Sequence, residues 1–220
     1  WINEGHSFGI TAAGGAGWQL AEWIVEGEPG IDMLAVDPRR FGGYTSKRYL
    51  VAKNEEAYRD VFTIHYPDEE RPDARPAKTS PVYDKLKRMG AVFGQRYGWE
   101  RANWFAPEGV EPKDEWSFRR SNYFEHVGNE CRRLREKVGV IDLTPFTKFE
   151  VTGPGAEGWL DSLVANKVPT KVGRIALCHA LTQRGGIRSE FTITKLADGH
   201  YSVGSAGAGG RYDSDFLQKR

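Results

Sequence analysis

Apolar and polar residues alternate on both sides of a glycine pair near the C-terminal end of the chain. Two alternating segments, over residues 174–182 and 189–196, flank the turn-forming residues 183–186. Alternation with a period of two on either side of a Gly pair predicts a β-hairpin. The faces are read directly from this spacing: Ile175, Leu177 and His179 share one face of the first strand, Phe191 and Ile193 form the apolar face of the second, and Glu190, Thr192 and Thr194 form its polar face.

The polar row of the second strand has two interpretations. A carboxylate and two hydroxyls that point into a cavity are typical of a protein that fixes the amide or amine groups of a ligand. The same row is also the ordinary solvent-facing side of a half-exposed strand. The pattern by itself leaves both open.

Other patterns predict helices and short strands. Helices are expected after Ser80, ending at Gly90, over 129–138 and after Pro154, and the last residues, 215–220, have helical character. Strands are expected over 140–143, 148–151 and 201–205, the last after the turn at Asp198 and Gly199. From residue 140 onward this order predicts an α+β fold with an antiparallel sheet. The aromatic-rich segment 91–107 suits a core or a pocket wall, and the charged, Pro-rich segment 67–81 suits a linker or a solvated surface strap.

A glycine-rich stretch lies near the start of the chain. Gly14, Gly15 and Gly17 are expected to form a turn that leads into a helix ending at Gly27, with an apolar stripe along that helix. Backbone N–H groups at a helix N-terminus can receive a phosphate or the electron-rich edge of a flavin. The spacing differs from that of a dinucleotide-binding turn, so a plain loop-to-helix junction remains the alternative.

Composition narrows the class of partner. The 220 residues include 31 basic and 30 acidic side chains, so no net field favours nucleic acid or an anionic membrane surface. No apolar run approaches the roughly 18 residues that a membrane-spanning helix needs. The two cysteines, Cys131 and Cys178, have no zinc-binding spacing, and no metal site is predicted. The chain begins at Trp1 and stops within a helical pattern, from which we expect it to be an internal fragment of a longer polypeptide.

Several phrases resemble a known family. SPVYDKLKRMGAVF, YGWERANWF, VGVIDLTPFTKFEVTGPGAEGWLDSL and LTQRGGIRSEFTI are similar to the folate-binding aminomethyltransferase domain, the T-protein of glycine cleavage. GHSFGITAAGGAGWQLAEWI, DPRRF and YPDEERPDARP resemble the end of the FAD domain and the connecting segment of dimethylglycine and sarcosine dehydrogenases. Together these phrases cover essentially the whole chain.

The resemblance implies three parts and two cofactors. Residues 1–46 would be the C-terminal part of an FAD-dependent oxidoreductase domain, 47–77 a connecting segment, and 78–220 the N-terminal part of a T-protein-like folate domain. Such enzymes oxidise an N-methyl amine to an iminium with FAD and pass the one-carbon unit to tetrahydrofolate. The location implied is the cytoplasm of a bacterium or the mitochondrial matrix.

The resemblance also implies site residues. Gly14, Gly15, Ala16 and Gly17 would hold the flavin. Glu190 would be the catalytic acid that binds the pterin side and positions a folate nitrogen, with Thr192 on the same face and Phe146 lining the folate site. The family often has a second Asp here, and Ser189 stands where the first of the pair would be. Glu190 has one more methylene than Asp, which changes its reach.

The sequence also departs from a complete dehydrogenase. It has no dinucleotide-binding fingerprint, no flavin-linking N-terminal His and no second half of the folate domain. We therefore expect the 220 residues alone to hold neither cofactor well. Two alternatives are a folate-dependent aminomethyl- or methyltransferase without redox activity and a non-catalytic truncated partner. The choice of methylamine, the electron acceptor and the oligomeric state are not determined by the sequence.

Overall fold

The computed structural model describes residues 1–3, 5 and 8–219. Arg220, at the end of the helical segment predicted for 215–220, lies outside these residues, as do two residues of the GHSF phrase. The described elements are, in chain order, α1 (Ile10–Glu26), a 3₁₀ turn (Pro38–Arg40), α2 (Lys47–Arg59), α3 (Tyr83–Arg88), β1 (Ala91–Arg96), β2 (Trp99–Phe105), α4 (Phe124–Glu136), β3 (Thr147–Thr152), α5 (Ala156–Leu163), β4 (Ile175–Leu181), β5 (Ile187–Ala197), β6 (His200–Ser205) and α6 (Gly210–Gln218). The predicted α+β class is confirmed.

The chain divides into two compact units. Unit 1 is built from two separate stretches, Trp1–Arg40 and Lys148–Arg220, and unit 2 is the continuous stretch Phe41–Thr147.

Unit 1 contains a four-stranded sheet in the order β3-β6-β5-β4. Strands β4 and β5 are antiparallel, as are β5 and β6, which confirms the predicted hairpin and the strand after the Asp198–Gly199 turn. The hairpin turn closes through the Thr182 N–H, which donates to the Gly186 carbonyl at 2.8 Å. Gly185 adopts φ +82° in this turn, a left-handed conformation that glycine accepts without a Cβ clash.

One face of this sheet packs against α5 and α6. The core residues are apolar and almost free of solvent contact: Ala156, Leu160, Val164, Val168, Cys178, Ala180, Phe191, Ile193, Tyr201, Val203 and Phe216. Burying a side chain of the size of Leu, Ile or Phe stabilises the fold by about 1.5–3 kcal/mol. The predicted inward face of β5, formed by Phe191 and Ile193, is therefore the face on which unit 1 is assembled.

Helix α1 begins earlier than the sequence predicted. Gly14, Gly15 and Gly17 lie inside the helix, and the turn that precedes it is at Gly9, with φ +49°. The prediction of a glycine turn before the helix is therefore wrong, because the preceding residues Ile10 to Ala13 are themselves helical and continue into the glycines. The predicted end is confirmed: Gly27 is left-handed and its N–H donates to the Trp23 carbonyl. The expected apolar stripe is not a core face, since Ile24 and Val25 are 49% and 79% exposed.

Unit 2 contains a hairpin that the sequence analysis missed. Strands β1 and β2 pair in antiparallel register through a two-residue turn, Tyr97 and Gly98, both at positive φ. Two positive φ values are typical of the turn that joins a tight hairpin. The core interpretation of this aromatic segment holds for Trp104, which is 1% exposed and donates from its ring N–H to Asp114 at 2.8 Å.

Two charges of the segment 67–81 are anchored, while Asp68, Glu69 and Arg71 are exposed. Glu70 accepts hydrogen bonds from the Gln95 N–H and the Asn103 amide, and Arg75 pairs with Glu100 through two nitrogens. The side chains of Glu70 and Arg75 are only 12% and 17% exposed. The prediction of solvated charges is wrong for Glu70 and Arg75, because partners on the β1–β2 hairpin satisfy them.

The strand predicted over 140–143 is absent from the described structure. Asp142 Oδ1 accepts the Thr144 N–H at 3.0 Å, a local turn that competes with strand pairing. Val140 and Ile141 are 99% and 70% exposed. Helix boundaries also shift, since α3 begins at Tyr83 and α4 begins at Phe124, five residues before the predicted start.

Candidate functional site

The outer face of the β4–β5 hairpin carries the predicted polar row. Strand β5 alternates as expected, with Phe191 and Ile193 fully buried and Glu190 and Thr192 exposed on the opposite side. Thr194 is half-buried on that same outer side. Each outer residue of β5 lies beside a residue of β4, in the pairs His179–Glu190, Leu177–Thr192 and Ile175–Thr194.

This outer face is mixed in chemistry. Ile175 and Leu177 are 63% and 53% exposed, which is a large apolar area for two neighbouring strand positions. The carboxylate of Glu190 and the hydroxyls of Thr192 and Thr194 stand beside them. A surface of this kind can hold a flat ligand that has an apolar face and an edge of N–H groups.

Glu190 contacts His179, which is in turn bonded to Asn166, and the resemblance mentions neither residue. The Nε2 atom of His179 lies 3.0 Å from Glu190 Oε2. The other ring nitrogen, Nδ1, lies 3.3 Å from Asn166 Oδ1, which also accepts the backbone N–H of His179 at 3.1 Å. The carbonyl of His179 in turn accepts the Ala165 N–H at 2.9 Å. The loop after α5 is thereby bonded to both backbone polar groups of His179 in β4.

Ser189, one residue before Glu190, faces the core. Its hydroxyl donates to Asp213 Oδ1 at 2.6 Å, and the Ser205 hydroxyl donates to the other oxygen of the same carboxylate. Asp213 is 3% exposed and lies in the first turn of α6, where a negative charge is favoured by the helix dipole. The carboxylate of unit 1's core is therefore supplied by α6, and position 189 supplies a hydroxyl that satisfies it.

Lys195 lies on the inner side of β5 and serves packing. Its ammonium contacts Glu157 Oε2 at 2.9 Å and Asp198 Oδ1 at 3.1 Å, and the Tyr201 hydroxyl also donates to Glu157. Hydrogen bonds from Tyr201 and Lys195 lower the pKa of Glu157, and those to Glu157 and Asp198 raise the pKa of Lys195. This cluster joins α5 to β5 and β6 and lies away from the outer face.

The other predicted site residues are placed as follows. Gly14, Gly15 and Gly17 are exposed on α1 and Ala16 is half-buried. A Cβ added at any of the three glycines would meet no atom within 4 Å outside the neighbouring helix backbone. Phe146 belongs to unit 2, directly before β3, and is 47% exposed. The structure brings Glu190 and Thr192 onto one face.

The backbone N–H groups of residues 14–17 are not free to bind a flavin, in contrast to the prediction. Helical N–H groups from the fifth residue onward are used by bonds within the helix, and Gly14 is the fifth residue of α1. The amides of 14–17 therefore do not fit the role of flavin donors. What the glycines do provide is a side-chain-free strip of helix that a flat ring can approach closely.

Two functional candidates were not identified from sequence. His179 was placed on the correct strand face, but its pairing with Glu190 depends on a register shift between Ala180 and Leu181 that alternation does not predict. Asn166 lies in an irregular loop after α5, where no periodicity predicts the direction of a side chain. In the part of the chain that the structure describes, no group of three or more His, Cys, Asp or Glu residues is arranged to hold a metal ion. Among the same residues, no helix combines the length and the apolar character needed to cross a membrane.

Comparison with known proteins gives two family matches. The model of the GCVT N-terminal domain matches residues 82–220, and the model of the FAD dependent oxidoreductase central domain matches residues 26–80. The first match covers more than half of the chain.

Three curated relatives and one solved structure are similar to the chain. Mitochondrial dimethylglycine dehydrogenase of Mus musculus is 40% identical over 91% of this chain, and 4-methylaminobutanoate oxidase (formaldehyde-forming) of Paenarthrobacter nicotinovorans is 36% identical over 87%. The mitochondrial pyruvate dehydrogenase phosphatase regulatory subunit of Mus musculus is 32% identical over 87%. This chain spans 22–23% of the length of these relatives.

The solved structure supports the fold. It is the glycine cleavage system aminomethyltransferase T from Bartonella henselae, with a TM-score of 0.50 and 22% identity. The match covers 64% of this chain and 35% of that one. The predicted resemblance is thus confirmed: the chain belongs to the family of the GCVT N-terminal domain, and residues 26–80 before it match the model of the FAD dependent oxidoreductase central domain.

Proposed function

We propose that this chain is part of a flavoenzyme that oxidatively demethylates an N-methyl amine, such as dimethylglycine or sarcosine, and transfers the one-carbon unit to tetrahydrofolate. The observation that carries the proposal is the outer face of the β4–β5 hairpin, where Glu190 and Thr192 stand beside exposed apolar residues within the GCVT-like part. The neighbouring FAD dependent oxidoreductase match supports the redox half of the reaction.

In this proposal Glu190 is the catalytic acid of the folate site. Its carboxylate accepts hydrogen bonds from pterin-side N–H groups and stabilises positive charge that develops on a folate nitrogen. Thr192, two residues along on the same face, supplies a hydroxyl, and the exposed Leu177 beside it supplies an apolar surface for the ring. Phe146 is proposed as a further apolar residue of the folate site.

Two cofactors complete the chemistry. When bound, FAD would accept the hydride equivalent from the amine and tetrahydrofolate would accept the one-carbon unit. Gly14, Gly15, Ala16 and Gly17 are proposed to allow close approach of the flavin to the surface of α1, rather than to donate N–H groups to it. Electron transfer after flavin reduction requires an acceptor of a class that this chain does not specify.

We further propose a division into an oxidoreductase part (1–46), a connecting segment (47–77) and a folate part (78–220). The two family matches, which meet near residue 80, support the second boundary. The bacterial cytoplasm or the mitochondrial matrix is the proposed location, in keeping with the bacterial source of one relative and the mitochondrial names of others.

The test of this function is Glu190→Gln in the full-length protein. A charge-assisted hydrogen bond of this type contributes roughly 1.5–3 kcal/mol, so methylenetetrahydrofolate formation should fall about ten- to a hundredfold. Amine oxidation should stay near the unmutated rate, and the difference should appear as free formaldehyde. Both products are measured in parallel, with and without tetrahydrofolate. An unchanged product ratio would mean that Glu190 is an ordinary surface carboxylate.

One relative favours a second function. The regulatory subunit among the similar proteins has a name that describes no oxidation, and a chain of this family acting only through protein contact would need neither cofactor. The flavin content of the purified full-length protein separates the two. Stoichiometric flavin with amine-dependent bleaching supports the enzyme, and a colourless protein that is unaffected by methylamines supports the regulatory partner.

A further inference from the structure

Both ring nitrogens of His179 lie within 3.3 Å of an oxygen, which distinguishes this residue from an ordinary exposed histidine. Asn166 Oδ1 accepts the backbone N–H of His179 at 3.1 Å, and this contact fixes the direction of the amide oxygen. The same oxygen lies 3.3 Å from ring Nδ1, and Glu190 Oε2 lies 3.0 Å from ring Nε2. In any form of the ring with hydrogen on Nε2, His179 donates to the carboxylate.

This arrangement restrains Glu190, the most flexible side chain on the outer face of the β4–β5 hairpin. Glu190 is 59% exposed and has one more rotatable bond than an aspartate, so by itself it would sample many rotamers. The contact with His179 restrains Oε2. Because both oxygens belong to one planar carboxylate, the same contact also restricts the direction of Oε1. An acid that must meet a ligand group within a few tenths of an ångström requires this kind of support.

A second His–Glu pair on the same sheet has a longer contact, so a nearby histidine does not always hold a glutamate carboxylate. His200 Nε2 lies 3.7 Å from Glu150 Oε2 and makes no hydrogen bond among the described residues. That pair has only the loose geometry of an exposed ion pair, which contributes little. The His179 ring, by contrast, has a short contact at one end and an amide oxygen at the other.

We propose that His179, held by Asn166, is a positioning residue that fixes the carboxylate of Glu190 for contact with the folate. This inference rests on the function proposed above. It assigns to His179 no contact with the reacting atoms. It accounts for a glutamate at a position where the resemblance leads one to expect the shorter aspartate.

The experiment compares His179→Leu with His179→Gln in the full-length holoenzyme. Leucine is compatible with the neighbouring apolar positions Leu177 and Leu181 but removes the donor, and glutamine restores an N–H near the place of Nε2. His179→Leu should raise the ratio of free formaldehyde to methylenetetrahydrofolate about three- to tenfold. It should leave amine-dependent flavin reduction unchanged, and His179→Gln should recover most of the unmutated ratio.

A binding measurement supplies a readout independent of turnover. The dissociation constant for 5-formyltetrahydrofolate, measured by calorimetry, should rise by a similar factor in His179→Leu. In the Glu190→Gln background the same change should add little, because the residue that it positions has already been altered. His200→Leu is the matched control, since it removes the looser His–Glu pair of the same sheet and should alter neither readout.

The outcomes separate the two proposals. If Glu190→Gln shifts the product ratio and His179→Leu does not, the positioning role is overturned and the proposed function stands. If neither variant shifts the ratio or the dissociation constant, the proposed function fails and the positioning role fails with it. If the effects of His179→Leu and Glu190→Gln are additive, His179 acts independently of Glu190, which also overturns the inference.

Discussion

Ser189 and Glu190 are neighbours in sequence with opposite environments. Ser189 is 7% exposed and bonded to Asp213, whereas Glu190 lies on the outer face against His179. The alternation of a strand makes this unavoidable, since successive side chains point to opposite sides. A serine at 189, where the resemblance leads one to expect an acid, is explained by the carboxylate that α6 already places there.

Ser189→Asp should therefore destabilise the protein. The new carboxylate would lie within hydrogen-bonding distance of Asp213, and two buried like charges without a cation cost about 3 kcal/mol or more. Urea unfolding measures the loss. Ser189→Ala is the control: it removes one hydrogen bond to a carboxylate and should cost only about 1.5–3 kcal/mol. Equal stability of the Asp variant and the unmutated protein would show that the site relaxes or admits water.

At the scale of elements, α1 contains three glycines in its interior. Each costs roughly 1 kcal/mol of helix stability relative to alanine, and an added Cβ at Gly15 would meet nothing within 4 Å outside the neighbouring helix backbone. Packing among the described residues of this chain therefore gives no reason for glycine at this position. Close approach of a ring to the helix surface would give one.

Gly15→Ala and Gly15→Val should show opposite effects on stability and on flavin. Both replace a weak helix former, so helix stability should rise, by about 1 kcal/mol for alanine. Flavin retained after purification, measured by absorbance, should fall from glycine to alanine to valine as the side chain blocks the approach. Ala21→Val, an exposed position later in the same helix, should leave flavin content unchanged. Full flavin retention in both Gly15 variants would remove α1 from the flavin site.

The elements that were predicted correctly are those with strong local patterns. The β4–β5 hairpin follows from period-two alternation around Gly185, and the end of α1 follows from the left-handed Gly27. The start of α1 was missed because helix propensity places glycines outside helices. The segment 140–143 was assigned to a strand from its apolar residues, but Asp142 bonds the local backbone instead. Asn166 could not be predicted, because only the folded loop brings it to His179.

At the scale of the whole molecule, the cluster of Glu157, Lys195 and Tyr201 links separate elements of unit 1. This cluster connects α5 with β5 and β6, so protonation of Glu157 weakens bonds that join these three elements. The pKa of Glu157 is lowered on folding by its bonds from Tyr201 and Lys195. A lowered folded-state pKa contributes stability that is present above the ordinary value and is lost as pH falls through the folded value.

The protein should therefore lose stability in acid through Glu157. The loss should begin as pH falls below the ordinary value of 4.5 and continue through the lowered folded-state pKa. Unfolding by urea at a series of pH values measures it, and Glu157→Gln should flatten the acid limb relative to the unmutated protein. Glu125→Gln, a change in α4 of unit 2, is a control that should leave the slope as it was. Identical slopes for Glu157→Gln and the unmutated protein would contradict this account.

The division of unit 1 into two stretches sets an order of events during synthesis. The Gln183 N–H donates to Glu28, 155 positions earlier in the chain, at 3.0 Å, and Arg39 lies over the Tyr212 ring at 4.7 Å. Residues 1–40 are thus translated long before their partners exist, whereas unit 2 is one uninterrupted stretch and has all its own residues when Thr147 is made. A ribosome that moves from the N-terminus therefore completes the inner stretch first, and Glu28 and Arg39 wait until the hairpin turn and α6 emerge.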